Sequence, residues 1–205
     1  MTETQTQTDK LIAFLMTHSM ARSNELVRYG ITPSTLSRAV SKGLVKRVSR
    51  GLYQLPDADI DASTSFVEVV KRIPKATICL VSALAYYEVT DQLPRKVWIA
   101  IGPKDRASRM SYPPLRFVRF REPYLSQDKT SVKISGVNVP IYTLEKCLAD
   151  AFRNPKLVDK SVAIESLRNA LESRKILPGT LAEVAKRNGA WKKLMPYLEA
   201  LTFDG

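Results

Sequence analysis

The chain has 205 residues, 44% hydrophobic and 25% charged, a balance suited to ordinary folded domains rather than to a disordered or membrane-spanning polypeptide. Its formal net charge of +12 points to a polyanionic partner, and its single histidine argues against Ser/His or histidine-based acid–base catalysis. Cys79 and Cys147 lie in the apolar surroundings ICLVSA and LEKCLAD and read as buried structural thiols, without metal-ligand spacing. With no signal-peptide layout in MTETQTQTDK, the expectation is a cytoplasmic protein without membrane attachment.

The first seven or so residues read as a frayed tail. TDKLIAFLMTH, residues 8–18, places Leu11, Phe14, Leu15 and His18 at helical spacing, with Thr8 as a candidate N-cap. A short helix over NELVRYG follows Ser23, and Gly30 can end it in the left-handed conformation. Thr32 is the next N-cap candidate, and Pro33 stands at the first helical position, where its missing N–H is no loss. The helix 33–42 is expected to bury Leu36, Ala39 and Val40 and to expose Ser34, Thr35, Ser37, Arg38, Ser41 and Lys42 before Gly43 stops it. Two β-rich runs, 44–48 and 52–55, flank Ser49-Arg50-Gly51, a turn whose glycine suits a left-handed bulge position. Helix, helix, turn, helix, hairpin is the order of a winged helix-turn-helix.

PDADIDAS, residues 56–63, reads as an acidic link, so the predicted domains are 1–56 and 62–205. STSFVEVVKRI predicts a helix, and ATICLVSALAYYEV a short buried strand running into a helix. VWIAIG and LRFVRF predict strands around the loop PKDRASRMSYPP, and TSVKISGVNVPIY a hairpin bent at Ser135-Gly136. TLEKCLADAF predicts a helix capped by Thr143, and helical patterns continue from Asp159 to the end. The fold class is therefore α+β: an N-terminal winged helix-turn-helix, then a mixed α/β domain with a helical C-terminal end.

The positive charge is concentrated in two places. Residues 1–55 hold eight Lys/Arg against three Asp/Glu, and residues 95–121 hold eight against Asp105 alone. In a helix-turn-helix the second helix of the pair enters the major groove. Ser34 and Thr35 offer short hydrogen-bonding groups near the helix start, beside free backbone N–H groups that favour a phosphate. Arg38 is long enough for a bidentate contact to guanine, and Lys42 suits a phosphate. Lys46, Arg47 and Arg50 would set the hairpin on the backbone or in the minor groove. A plain solvated helix face would have the same residue types; the Thr-Pro start, the compact spacing and the basic hairpin together favour DNA. A second basic patch is expected from Arg106, Arg109, Arg116 and Arg119, against the alternative of an edge strand guarded by cations.

Catalytic signatures are missing from the sequence. No Asp/Glu-x-Lys triplet or phosphate-binding glycine loop occurs, and Asp57, Asp59 and Asp61 read as solvated linker acids rather than as cation ligands. No metal site or cofactor is expected.

Beyond the winged helix, SALAYYEVTDQLPRKVWIAI, VPIYTLEKCLADAFRNP and WKKLMPYLEAL occur in an order that resembles the AbiEi family of bacterial antitoxins and transcriptional regulators. The resemblance implies a type IV toxin–antitoxin or phage-defence regulator that binds inverted repeats in the double-stranded DNA of its own promoter. It implies a nucleotidyltransferase-like toxin as functional partner, without a stable complex, and a protein that is monomeric in solution or cooperative on DNA. It places Ser34, Thr35, Ser37, Arg38, Lys42, Lys46, Arg47 and Arg50 in the recognition helix and wing, and implies no enzyme activity. Two alternatives stay open: a ligand-responsive repressor whose sensor pocket uses Tyr86, Tyr87 and Trp98, and a defence nuclease.

Overall fold

A computed structural model describes residues 6–18, 20–57, 62–107, 110 and 113–203. The chain forms two compact units, residues 1–74 with 133–139 and residues 75–132 with 140–205. Sequence order and fold class are as expected, α+β with a winged helix first.

The first unit begins with α1 (Gln7–Thr17), β1 (Ala21–Arg22), α2 (Ser23–Arg28) and α3 (Pro33–Ser41). The hairpin β2 (Lys46–Ser49) and β3 (Leu52–Gln54) follows, and then α4 (Ala62–Arg72). Thr6, not Thr8, caps α1: Asp9 N donates to Thr6 Oγ1 while Thr6 N donates to the Asp9 carboxylate, a reciprocal box that orders residues expected in the tail. Gly30 has φ +91° at the α2–α3 turn, and Ile31 N donates back to Leu26 O, so the turn closes on a buried side chain. Leu11, Leu15, Leu26, Ile31, Leu36, Ala39 and Val45 make the core beneath these helices. The small sheet has one strand more than the sequence pattern predicts. Ala21 and Arg22 pair with Tyr53 and Leu52, giving the order β1-β3-β2. Two residues show no period, so only the pairing reveals β1.

A larger sheet and further helices start at β4 (Thr77–Ile78), α5 (Leu80–Tyr86), β5 (Val97–Ile101) and β6 (Leu115–Arg119). Then come β7 (Lys129–Ile134), β8 (Val137–Tyr142), α6 (Leu144–Arg153), α7 (Lys160–Glu172), α8 (Pro178–Arg187) and α9 (Trp191–Phe203). The five-stranded sheet runs β6-β5-β4-β8-β7, with β5–β6 and β4–β8 parallel and β4–β5 antiparallel. Every residue of β5 is buried, the pattern of a strand covered on both faces. The β7–β8 turn is where the Ser-Gly dipeptide predicts it: Ser135 and Gly136 both have positive φ, the requirement of a two-residue hairpin turn.

Helix α6 is the hub of the second unit and packs against α5, α7, α8 and α9. It starts where Lys146 N donates to Thr143 Oγ1, as expected. Its burial includes two charges: Lys146 is 0% and Asp150 1% exposed. Lys146 Nζ lies 3.1 Å from Asp150 Oδ2 and donates to Asn188 Oδ1 at 2.8 Å, among the rings of Phe120 and Tyr142. Arg153 Nη2 approaches the other Asp150 oxygen to 2.8 Å. Burial pushes the Asp150 carboxyl above its ordinary range, outweighing the pull of Lys146 and Arg153 toward the ionised form. Cys79 and Cys147 are buried, and burial raises both thiols far above the usual range, so they are inert packing groups.

Candidate nucleic-acid interface

Helix α3 is set in place from three sides. Thr32 caps it through Thr35 N, and Pro33 occupies its first position. Its C-terminal end is closed by Gly43 N donating to Val40 O and Leu44 N donating to Ala39 O. The third restraint comes from the first turn of α1. Gln7 Oε1 accepts from Thr35 Oγ1 at 2.7 Å, Thr32 Oγ1 at 3.0 Å and Thr32 N at 3.3 Å. One side-chain carbonyl thus ties the start of α3 to a residue 25 positions earlier.

On the outer face, Ser34, Ser37, Arg38, Ser41 and Lys42 are exposed, and none of residues 33–42 is acidic. Ser41 Oγ donates to Arg38 O at 2.9 Å, so part of its capacity is used within the helix. Thr35 is a correction. Expected on the exposed face, it is 4% exposed and its hydroxyl points to Gln7. The spacing contained the signal, since Thr35 lies one turn before the buried Ala39 and beside Leu36. A cavity of about 520 Å³ opens beside this face, lined by Gln7, Thr8, Thr32, Arg38 and Lys42 among others. Hydroxyls and two cations therefore meet in a concave surface next to α3.

In the wing, Lys46, Arg47 and Arg50 are exposed. Gly51 has φ +71°, and the β2–β3 register shifts between Arg47 and Ser49, so the expected bulge is present. Ser23 N donates to Gly51 O at 3.0 Å, which fastens the wing's turn to the start of α2. From the other side, Lys71 of α4 bonds Glu25 of α2, whose carboxylate also accepts from Arg22 N at 2.7 Å. His18 stacks on Phe14 with ring centroids 4.3 Å apart. The lone histidine is a packing group here.

The second basic stretch is not one patch of equivalent cations. Arg106 is exposed. Arg116 lies over the Trp98 ring at 4.2 Å. Arg119 Nη1 donates to the carbonyls of Gly102, Pro103 and Asp105, each at 2.9 Å, so this guanidinium holds the 102–105 turn. Arg109 lies outside the described residues, as do Asp59 and Asp61. Of the aromatic trio suggested for a sensor pocket, Tyr87 Oη donates to Tyr142 O at 2.9 Å and Trp98 is 8% exposed beneath Arg116. Neither the cavity beside α3 nor one at α6–α9 is lined by them. Among the described residues no three His, Cys, Asp or Glu side chains group as metal ligands, and no helix is long and apolar enough to cross a membrane.

The helix pair α2–α3, capped at Thr32, and the glycine-tipped wing form a winged helix-turn-helix fold. Residues 9–56, about a quarter of the chain, match the family model described as "Transcriptional regulator, AbiEi antitoxin". The fold is also similar to the crystal structure of the RV2827C protein from Mycobacterium tuberculosis, with a TM-score of 0.63 at 12% identity, over 95% of this chain and 77% of that one. No curated protein matches the sequence.

Proposed function

We propose that the protein is an autorepressor: it binds inverted repeats in its own promoter through α3 and the wing, and serves as the antitoxin of its operon. The observation that carries this reading is the acid-free outer face of α3, held rigidly by Thr32 and Gln7 beside a cationic wing. Arg38 would read a guanine edge, with Ser34 and Ser37 near the helix start contacting bases or phosphates. Ser41, Lys42, Lys46, Arg47 and Arg50 would hold the backbone. The buried Thr35 acts from beneath, by fixing the helix start. Arg106 and Arg116 would offer a separate contact to DNA or a charged partner. The toxin opposed would be nucleotidyltransferase-like and counteracted without a stable complex, as the family resemblance suggests.

Gel shifts on the chain's own upstream DNA test the reading. Arg38→Ala should cost roughly 1–3 kcal/mol of discrimination between the promoter and scrambled DNA. Arg50→Ala should weaken binding to both and reduce the log–log salt slope by about 0.9. Promoter binding indifferent to both substitutions would remove α3 and the wing from the interface.

A further inference from the structure

Away from the winged helix, the second unit contains a cleft of about 350 Å³ at the end of α6, the start of α7 and the first turns of α9. Its floor is apolar and aromatic. Phe152 is 6% exposed and its ring centroid lies 5.3 Å from that of Tyr197, at an interplanar angle of 31°. Val158 and Ala163 complete the floor, both buried. At the mouth are three cations: Lys160, Lys192 and Lys193 line the cleft, and none of its lining residues is acidic.

Two of these lysines stand at helix N-termini. Lys160 is the first residue of α7, whose preceding Asp159 makes no side-chain capping bond. Lys192 is the second residue of α9, which has no acid in its first turn and follows Ala190, a residue without a side-chain acceptor. Helix N-termini carry positive partial charge and usually gather Asp or Glu. Here neither first turn holds an acid, Asp159 precedes α7 without making a capping bond, and each helix brings a lysine to the cleft. Lys193 is fixed by donating to Arg153 O at 2.9 Å, and Lys160 Nζ sits 4.9 Å from the Tyr197 ring centroid.

A bare anion has no use for an aromatic floor, and an apolar solute has no use for the lysines. A ligand that satisfies both parts has a flat ring at one end and a phosphate at the other. We propose that this cleft binds a nucleotide, its base against Phe152 and Tyr197 and its phosphate on Lys160 and Lys192. The volume is that of a site for one small ligand. Base stacking on aromatics with cations along the phosphates is the chemistry by which proteins hold single nucleotides and strand ends alike. The inference goes beyond operator binding and does not depend on it.

Isothermal titration of the full chain with four probes tests it: adenosine 5′-monophosphate, adenosine, inorganic phosphate and a 5′-phosphorylated single-stranded trinucleotide. The monophosphate should bind one to one, and adenosine and phosphate at least tenfold more weakly. Lys160→Ala and Lys192→Ala should each weaken the monophosphate roughly two- to fivefold, as exposed cations do, and leave adenosine unchanged. Tyr197→Leu should weaken the monophosphate and adenosine together. A trinucleotide that binds tighter than the monophosphate identifies a strand end as the ligand; equal or weaker binding identifies the free nucleotide. Lys160→Gln and Lys192→Gln replace any alanine variant that fails to fold. Absence of saturable binding by all four probes at millimolar concentration overturns the proposal, as does binding that the double lysine variant leaves unchanged.

Discussion

Replacing Gln7 with alanine removes the acceptor that joins α1 to the start of α3, the helix proposed to read DNA. Three donors lose a partner: Thr35 Oγ1, Thr32 Oγ1 and Thr32 N. The two hydroxyls still lie 2.9 Å apart, so one can donate to the other, and Thr32 is exposed, so its N–H can turn to water. The net loss is one short bond at the buried Thr35 and part of a second. At about 0.5–1.5 kcal/mol for each hydrogen bond, the winged helix should lose about 1–2 kcal/mol. That leaves the chain folded, because domains of this kind have roughly 5–15 kcal/mol in hand. Promoter affinity should fall about three- to tenfold as the first turn of α3 loosens, with the salt slope unchanged because no phosphate contact is lost. Gln7→Glu retains an acceptor oxygen and should keep most of the stability. Urea denaturation and salt-dependent gel shifts on both variants provide the measurement. If Gln7→Ala matches the wild type in midpoint and in promoter affinity, the bond is not what positions α3.

Further outcomes follow from other elements. Lys146→Ala would leave Asp150 buried with Arg153 alone and should cost about 3–5 kcal/mol in chemical denaturation. Lys146→Met, which replaces the lost volume, should cost less than the alanine change. Gly51→Ala forces a side chain into positive φ and places its Cβ 3.0 Å from Ser23 Oγ. It should destabilise by about 1–2 kcal/mol in the same assay and lower promoter affinity, because the wing's turn must shift. Asp128 supplies a pH test. Burial raises its carboxyl, but hydrogen bonds from Arg187 and Asn188 outweigh that and hold it below the ordinary 3.8. A depressed carboxylate contributes stability above its unfolded pKa and loses it as pH falls through the folded one. The advantage of wild type over Asp128→Asn should therefore be full above about pH 5 and shrink as the solution is acidified below 3.8.

Local chemistry determined the helix starts and turns of the winged helix. Thr32-Pro33 starts a helix because a hydroxyl caps and proline lacks the N–H that a first turn leaves unbonded. Gly30, Gly51 and Ser135-Gly136 mark turns because each requires positive φ, and all of them have it. The run VWIAI was legible as a strand from its β-branched and aromatic composition; that every residue of it is buried came from the fold. These signals extend over only a few residues, so no distant partner is needed to read them.

Tertiary structure decided everything that depends on what lies opposite. Gln7 looks like part of a polar tail until Thr32 and Thr35 are placed against it. Ala21-Arg22 is a strand only because β3 supplies its hydrogen bonds. Nothing in TLEKCLADAF marks Lys146 and Asp150 as buried, yet α6 is surrounded by four helices and the two charges pair with each other inside. Arg119 counts as surface charge in the sequence and is a clamp on three carbonyls in the fold. A charged side chain has the same identity whether its counter-charge is water, a carboxylate or a carbonyl. Sequence spacing fixes which face of a helix it occupies, and only packing fixes what that face meets.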